Sequence, residues 1–407
     1  MILQGTWCLA RAVLPEARPP DNRGRATGGE GRLARGGESS YNRHTVLQTY
    51  KNILIIKPSA LGDLIQVLPV LHRLRQGCPQ ARISWFVRSE FAPLIQGHPD
   101  LDDVILFDRR YLGKAWWSPG AFAALVRLID RLRRGRFDLV LDFQGLFRTS
   151  AFGWLSGCPV RIGMAGTREL SRGFYTHRIA QKPRSIHLVD YYLDMLAAAG
   201  IEAADIRFDL PDDADAESMV RQLLAEHGVQ AYRYAVLVPG SAHADKCWPV
   251  ERFAELADRI TERFGLSVIA TGTAGEAPTA MELALRARVP VANLAGRTSI
   301  RQLVALMRTA AAVVSNDTGP GHIAAALHRP LVLIFGRSNP ARVLPYGRPQ
   351  CAAAIDPTGR GFKADNFDPA YDIRHITVED VLGRLSTQVC SSGRQAGATE
   401  AGPAVAR

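Results

Sequence analysis

From Lys51 onward the chain alternates short apolar runs with amphipathic stretches, and the order of that alternation predicts its fold. In "KNILIIKPSALGDLIQVLPVLHRLR" a β-branched run reads as a strand, Pro-Ser-Ala-Leu-Gly as a turn, and the apolar residues at helical spacing as an amphipathic helix. Strands are likewise expected at "ARISWFV", "DDVILF", "FDLVLDF" and "VRIGM", separated by helices such as "PGAFAALVRLIDRLRRG". After "DLPDDADAESMVRQLLAEHG" the pattern restarts. "YAVLVPG", "LSVIATG", "AAVVSND" and "PLVLIFG" read as strands, and the stretches around "VERFAELADRITERF", "APTAMELALRAR" and "SIRQLVALMRTA" as helices. Strand and helix taking turns in this way predict an α/β chain of two Rossmann-like domains, each a parallel sheet with helices on both faces.

Composition sets the outer boundaries. Residues 1–50, with "PEARPPDNRGRATGGEGRLARGGESS", are rich in Gly, Arg and Pro without apolar periodicity and read as a disordered extension. The first domain falls at 51–211 and the second at 212–375; a helix over 376–389 is expected to pack back on the first domain, and 390–407 reads as a flexible tail. Doubly wound sheets bind ligands beyond the carboxyl ends of their strands, so two facing domains predict one interdomain cleft. Met1 to Leu14 is apolar but lacks the basic flank and cleavage site of a signal peptide. No apolar run approaches the roughly 20 residues of a membrane span.

Hydrophobic residues make up 47% and charged residues 22% of the chain, a globular composition. Of the net charge of +11, residues 1–50 supply +3 and 390–407 supply +1, leaving +7 on the folded region. That surplus suits either a polyanionic partner or a generally basic surface. Six scattered cysteines without a C-x-x-C pair argue against a zinc knuckle, a redox dithiol or a disulfide framework, and suit a reducing cytoplasm.

The candidate chemistry gathers at five expected strand ends: Lys57 to Asp63, Asp142 to Arg148, Pro239 to Trp248, Thr271 to Glu276 and Asn316 to His322. Neither a G-x-G-x-x-G fingerprint nor a Walker loop follows the first strand of either half, which disfavours nicotinamide redox chemistry and Walker-type hydrolysis. Gly240, Gly272 and Gly319 each follow a strand, where bare backbone can approach a phosphate. In "SNDTGPGHIAAAL" a strand runs straight into a helix whose first N–H groups favour an anion, although Asp317 or Thr318 would serve equally as a cap.

Single residues carry similar pairs of readings. Lys246 can place its ammonium on a diphosphate or stand as a solvated loop lysine. Glu276 can accept hydrogen bonds from ribose hydroxyls or stabilise a helix start. Asp63 can act as a general base or as an ordinary first-turn acid, and His322 can reach a phosphate or serve the packing. Asp213-Ala214-Asp215 looks like a metal-binding pair but opens a helix after a proline, so it reads as a cap and no metal is assigned.

Taken in order, "KPSALGDLIQVLPVLHRLR", "DLVLDFQGLFRTS", "RIGMAGTRELSRGFY", "HADKCWP", "TGTAGE" and "SNDTGPGHIAAAL" resemble the family 9 glycosyltransferases, in particular the lipopolysaccharide heptosyltransferases of the heptosyltransferase I type. The resemblance covers nearly all of 51–389. It implies a GT-B fold and an inverting, metal-independent transfer of heptose from ADP-heptose to the Kdo region of a nascent lipopolysaccharide core, with no cofactor. It further implies Asp63 as catalytic base, Lys246 on the diphosphate, Glu276 on the ribose, Thr298 on the adenine side, and Asp317, Thr318, Gly319 and His322 around the donor. Ser59, Gln144, Arg148, Arg168 and Arg172 fall on the acceptor side, where basic groups can grip phosphates and carboxylates of a lipid A-like acceptor or form a solvated rim.

Two departures from the family pattern stand out. Ala60 replaces a small hydroxyl residue, and the acceptor-side segment keeps only part of the usual set. The expected partners are thus a nucleotide sugar and a phosphorylated glycolipid, with peripheral association at the inner membrane and no nucleic acid, since no aromatic-interleaved basic stripe of a known module is present. The rival readings are a family 9 transferase with another donor or a later core acceptor, a GT-B epimerase, which needs further acid/base groups, and a non-catalytic binder of anionic glycolipid.

Overall fold

A computed structural model describes residues 50–166, 170–202 and 205–400, with side chains described as far as Cys390. The segment read as a disordered extension thus lies outside the described residues except for Tyr50, as does Arg168. The first half runs β1 (Asn52–Ile56), α1 (Leu61–Ile65), α2 (Leu68–Gly77), β2 (Arg82–Arg88), β3 (Asp103–Phe107), α3 (Arg109–Leu112), α4 (Pro119–Arg134), β4 (Leu139–Asp142), α5 (Phe147–Leu155), β5 (Val160–Met164), β6 (His177–Ile179) and α6 (Leu188–Ala198). The second runs α7 (Ala214–Glu226), β7 (Tyr234–Val238), α8 (Val250–Phe264), β8 (Ser267–Ala270), α9 (Ala277–Arg286), β9 (Val291–Asn293), α10 (Ile300–Arg308), β10 (Ala312–Asn316), α11 (Gly319–Ala326), β11 (Leu331–Phe335), α12 (Pro340–Val343), β12 (Ala352–Ala354) and α13 (Val378–Glu400).

Each half forms a six-stranded parallel sheet, in the orders β3-β2-β1-β4-β5-β6 and β12-β11-β10-β7-β8-β9. The central strands are covered on both faces, which is why they read as continuous apolar runs rather than alternating ones. Ile53, Leu54, Ile55 and Ile56 are all fully buried, each contributing about 1.5–3 kcal/mol relative to exposure. The strand order reverses between β1 and β4 in one sheet and between β7 and β10 in the other, and the carboxyl ends of those strands are where such sheets open a crevice.

Helix α8 shows how the sequence sets a flank. Phe253, Leu256, Ala257 and Ile260 recur at helical spacing and are buried, and Gly265 ends the helix at φ 62°, a left-handed conformation that favours glycine. The stretch after Gly62 is not one helix: it breaks at Gln66 and Val67, and Pro69 sits in the first turn of α2. One apolar cluster runs through both halves, joining Ile53 and Leu141 to Val236 and Leu333.

The last helix departs from expectation. Instead of returning to the first sheet, Val378, Val381 and Leu385 of α13 join the second core with Trp248, Phe253 and Ile334, and the helix extends to Glu400, into the segment read as a tail. Asp213 does cap α7, accepting a hydrogen bond from the Ala216 N–H at 2.9 Å.

Candidate active site

At the switch point of the first sheet, β1 leads directly into Lys57, whose ammonium is buried. Its Nζ donates to the Phe143 carbonyl at 3.2 Å and to the Tyr192 hydroxyl at 3.4 Å, and lies 3.2 Å from Asp63 Oδ2. Burial alone would depress the lysine pKa, but the Asp63 carboxylate and the Tyr192 oxygen outweigh it and hold the pKa above its ordinary value. Asp63 Oδ2 also accepts from the Ala60 N–H at 3.2 Å, while its side chain remains 38% exposed. One carboxylate oxygen is therefore anchored twice, and among the described residues Oδ1 has no partner.

The next strand end is built around a second buried acid. Asp142 accepts from the N–H groups of Gln144 and Gly145 at 2.8 and 3.1 Å and from the Tyr175 hydroxyl at 2.8 Å. Its burial raises its pKa, an effect those hydrogen bonds oppose. Tyr175 reaches Asp142 only because Gly163 lies beneath it, where a Cβ would come within 2.3 Å of the ring. The loop so held carries Gln144, whose Oε1 is buried and lacks a partner among the described residues. Ser59 is half-buried, and Arg148 and Arg172 are exposed on adjacent segments.

In the second sheet Asn316, fully buried at the end of β10, accepts from the Trp248 N–H at 3.0 Å and donates to the Pro239 carbonyl at 2.8 Å. One side chain thus ties both ends of the loop that carries Lys246. Lys246 Nζ lies 3.1 Å from Asp365 Oδ1. Arg337, just past β11, approaches the same oxygen at 3.8 Å and pairs with Asp245 at 2.5 Å. Asp365 is placed by its backbone: Asn366 N–H donates to the Arg337 carbonyl at 2.8 Å and Asn339 N–H to the Ala364 carbonyl at 2.9 Å.

Asp317 and His322 meet at 3.3 Å. Burial pushes the Asp317 carboxyl up, but the His322 hydrogen bond and the Lys246 ammonium hold it below the usual carboxylate range. Thr318 precedes α11, but its hydroxyl oxygen accepts no hydrogen bond from a first-turn N–H; it meets Ser315 Oγ at 3.1 Å instead. Glu276 accepts from the Thr273 N–H at 2.6 Å and hydroxyl at 2.9 Å, so it closes its own turn. It also lies across the ends of β7 and β8: a Cβ on Gly240 would fall 2.4 Å from its Oε1, and one on Gly272 2.9 Å from its Oε2. Thr298 is half-buried just before the cap of α10.

The two switch points touch. A Cβ on Gly62 would meet the His322 ring at 2.6 Å, and one on Gly319 would meet Leu61 at 2.7 Å. Both glycines are thus required for the turn that carries Asp63 to lie against the start of α11. Sequence reading named Lys57 and Asn316 only as the starts of strand-end segments, and it did not single out Arg337 or Asp365. The available signal for Lys57 was its place at the end of a buried β-branched run, directly before a proline.

Comparison with known proteins places these features in a family. The pattern of "Glycosyltransferase family 9 (heptosyltransferase)" matches residues 125–361. Lipopolysaccharide heptosyltransferase 1 of Pseudomonas aeruginosa is 31% identical over 306 residues, 75% of this chain and 84% of that protein. The Salmonella typhimurium protein of the same name is 28% identical over 339 residues, covering 82% and 99%. Among solved structures, the family 9 glycosyltransferase of Veillonella parvula has a TM-score of 0.71 at 22% identity, over 84% of this chain and 98% of that one. E. coli heptosyltransferase WaaC with ADP-2-deoxy-2-fluoro heptose has a TM-score of 0.64 at 25% identity, over 82% and 99%.

Proposed function

The chain belongs to glycosyltransferase family 9, and from that premise we propose that it moves heptose from ADP-heptose to the Kdo region of the lipopolysaccharide inner core, with inversion, without a metal, and with Asp63 as general base. The observation that carries this reading is the half-anchored Asp63, fixed through Oδ2 by Lys57 and Ala60 on the turn that abuts His322. A base must be held in place and yet keep a lone pair free for the acceptor proton.

In the proposed step an acceptor hydroxyl oxygen attacks the anomeric carbon and its proton passes to Asp63. The bond from that carbon to the diphosphate oxygen breaks as the new glycosidic bond forms. The leaving diphosphate takes the electron pair, and Lys246, with Arg337 beside it, stabilises the charge that develops. Such cations do for a leaving group what a divalent ion does in other transferases. Glu276 takes the ribose hydroxyls, Thr298 the adenine side, and Asp317, Thr318, Gly319 and His322 the remaining donor contacts.

On the acceptor side Ser59 and Gln144, with its unpartnered Oε1, face polar sugar groups, and Arg148, Arg168 and Arg172 take phosphates or carboxylates. Exposed Leu146, Phe147 and Leu170 stand on the same segments as these arginines, a mixture that suits an acceptor both charged and lipidated. The domain limits of 51–211 and 212–375 fit a division between acceptor and donor halves, with closure expected when the donor binds.

Calorimetric titration with ADP, UDP, GDP and CDP, first without metal and then with Mg²⁺, tests the reading. Preference for ADP without need of Mg²⁺ is the expected result. Preference for another nucleotide would overturn the ADP-heptose assignment, and a strict Mg²⁺ requirement would overturn the metal-independent step.

A further inference from the structure

Between Leu106 and Val126 the surface of the first half is unusually apolar. Leu106, Tyr111, Trp116, Trp117, Phe122 and Val126 are all exposed, Trp116 by 65% and Trp117 by 72%. Scattered single apolar residues are ordinary on a protein surface, but six large ones within one short segment are not. Helix α4 already has a core-facing side in Ala121, Leu128 and Leu132, so Phe122 and Val126, one turn apart, form a second apolar strip where a surface helix normally carries charge.

The residues between them are basic. Arg109, Arg110, Lys114 and Arg127 are exposed, and among the described residues none is in an ion pair. Asp108, the acid within the segment, is occupied in capping α3 through the Tyr111 N–H at 2.9 Å. Aromatic side chains with uncompensated cations around them match the chemistry of a membrane interface, where Trp and Tyr settle at headgroup depth and Lys and Arg meet anionic lipid. No helix among the described residues is long and apolar enough to cross a membrane, so contact of this kind would be interfacial.

We propose that the α3–α4 segment is a docking surface for an anionic phospholipid bilayer, with Trp116 and Trp117 entering the interface and Arg109, Arg110 and Lys114 meeting the headgroups. Its position gives it a use, which rests on the reading of the acceptor as a lipid-anchored sugar. The segment leaves the carboxyl end of β3, two strands from β1 in a parallel sheet, so it starts on the same rim as Asp63 and roughly 10 Å along it. A bilayer held there lies beside the mouth of the acceptor half.

The test uses the full chain and phosphatidylethanolamine vesicles with and without phosphatidylglycerol, in the absence of donor and acceptor. The wild type should sediment with the anionic vesicles, release at high salt, and show tryptophan quenching by brominated lipid. Trp116→Ser with Trp117→Ser should lower partitioning by about tenfold or more, and Arg109→Gln with Arg110→Gln and Lys114→Gln should remove the preference for phosphatidylglycerol. Both variants should keep the wild-type thermal transition and turnover on a deacylated, water-soluble acceptor. Wild type left in the supernatant, or unchanged binding by the tryptophan variant, overturns the proposal. A parallel loss of turnover on the soluble acceptor would assign the patch to the acceptor site, and a shift from dimer to monomer with vesicle binding unchanged would assign it to self-association; either result overturns it too. Since binding is read without substrates, failure of the heptosyltransferase reading would show separately, as absent turnover in the wild type.

Discussion

Each half of the molecule holds a lysine beside an aspartate at nearly the same distance, 3.2 Å for Lys57 and Asp63 and 3.1 Å for Lys246 and Asp365, yet burial differs between them. Lys57 is 5% exposed beneath an acid that is 38% exposed, whereas Lys246 is 19% exposed beside an acid at 38%. A lysine sealed under the sheet end cannot leave its partner, so in the proposed mechanism the aspartate of the first pair acts and the lysine is scaffold. In the second, the ammonium is less sealed and its acid is partly exposed, so the proposed mechanism has the lysine act and the aspartate hold its place until an anion arrives. On that reading the same ion pair serves opposite purposes, and how far the lysine is sealed from the crevice decides which.

The largest effect should fall on the acid of the first pair. Asp63→Ala should lower turnover by about 10²–10⁴ while leaving ADP affinity within about twofold, because the proposed base acts in the transition state and not on the bound nucleotide. Steady-state kinetics with calorimetry on the same preparation checks this, and equal losses of turnover and affinity would break the assignment.

Lys57 comes next. In Lys57→Met the acid survives but loses its fixed oxygen, and turnover should fall about 10- to 100-fold with donor affinity kept. Stability should change by no more than about 1–2 kcal/mol, since removing a buried charge also removes its desolvation cost and Asp63 is exposed enough to rehydrate. The sign with pH is specific. The folded state holds the Lys57 proton more tightly than the unfolded chain, whose value is 10.5, so the stabilisation is whole below that pH and is lost as pH rises beyond it. The Tm gap between wild type and Lys57→Met should shrink above about pH 10.5; a gap that moves in favour of the wild type there would mean that burial, not Asp63, dominates the lysine.

Lys246→Ala should weaken ADP binding about tenfold, with a further loss in turnover, because the proposed mechanism has this cation meet the ground-state diphosphate as well as the leaving group. If only turnover changed, the contact would be confined to the transition state.

The difference between the two pairs also marks what the sequence made legible. The strands expected from apolar runs are all present, because a central parallel strand buried on both faces must be apolar throughout. Strands β6, β9 and β12 were not expected: "HRI", "VAN" and "AAA" are three-residue strands at the edges of their sheets, and the first two have no apolar run to announce them. The break before Pro69 was hidden because apolar spacing continues across it. In the site, Asp63 and His322 could be named from their motifs, but the side chains that set them in place could not. Pattern reading sends charged residues to the surface, so buried Lys57 was given no role of its own, and Asn316 was read as the end of a strand and not as a tie between loop ends. Asp365 is joined to Lys246 by strand-like pairing of 364–366 with 337–339, distant in sequence from the loop it serves, and no local pattern encodes that.

The smallest effect is also the sharpest check on the comparison. If Asp365 only holds the place of a bound anion, Asp365→Asn frees Lys246 and relieves Arg337 at a site where both carboxylate contacts are partly solvated and worth little. Removing it should then tighten ADP binding by about two- to fivefold, with the gain fading at high salt as the charges are screened. The backbone pairing that fixes the segment involves the N–H and carbonyl groups of its neighbours, so the substitution should leave it intact. If Asp365 were instead a scaffold like Lys57, the same change would loosen Lys246 and weaken ADP binding. The direction of that one shift therefore separates a placeholder from a support.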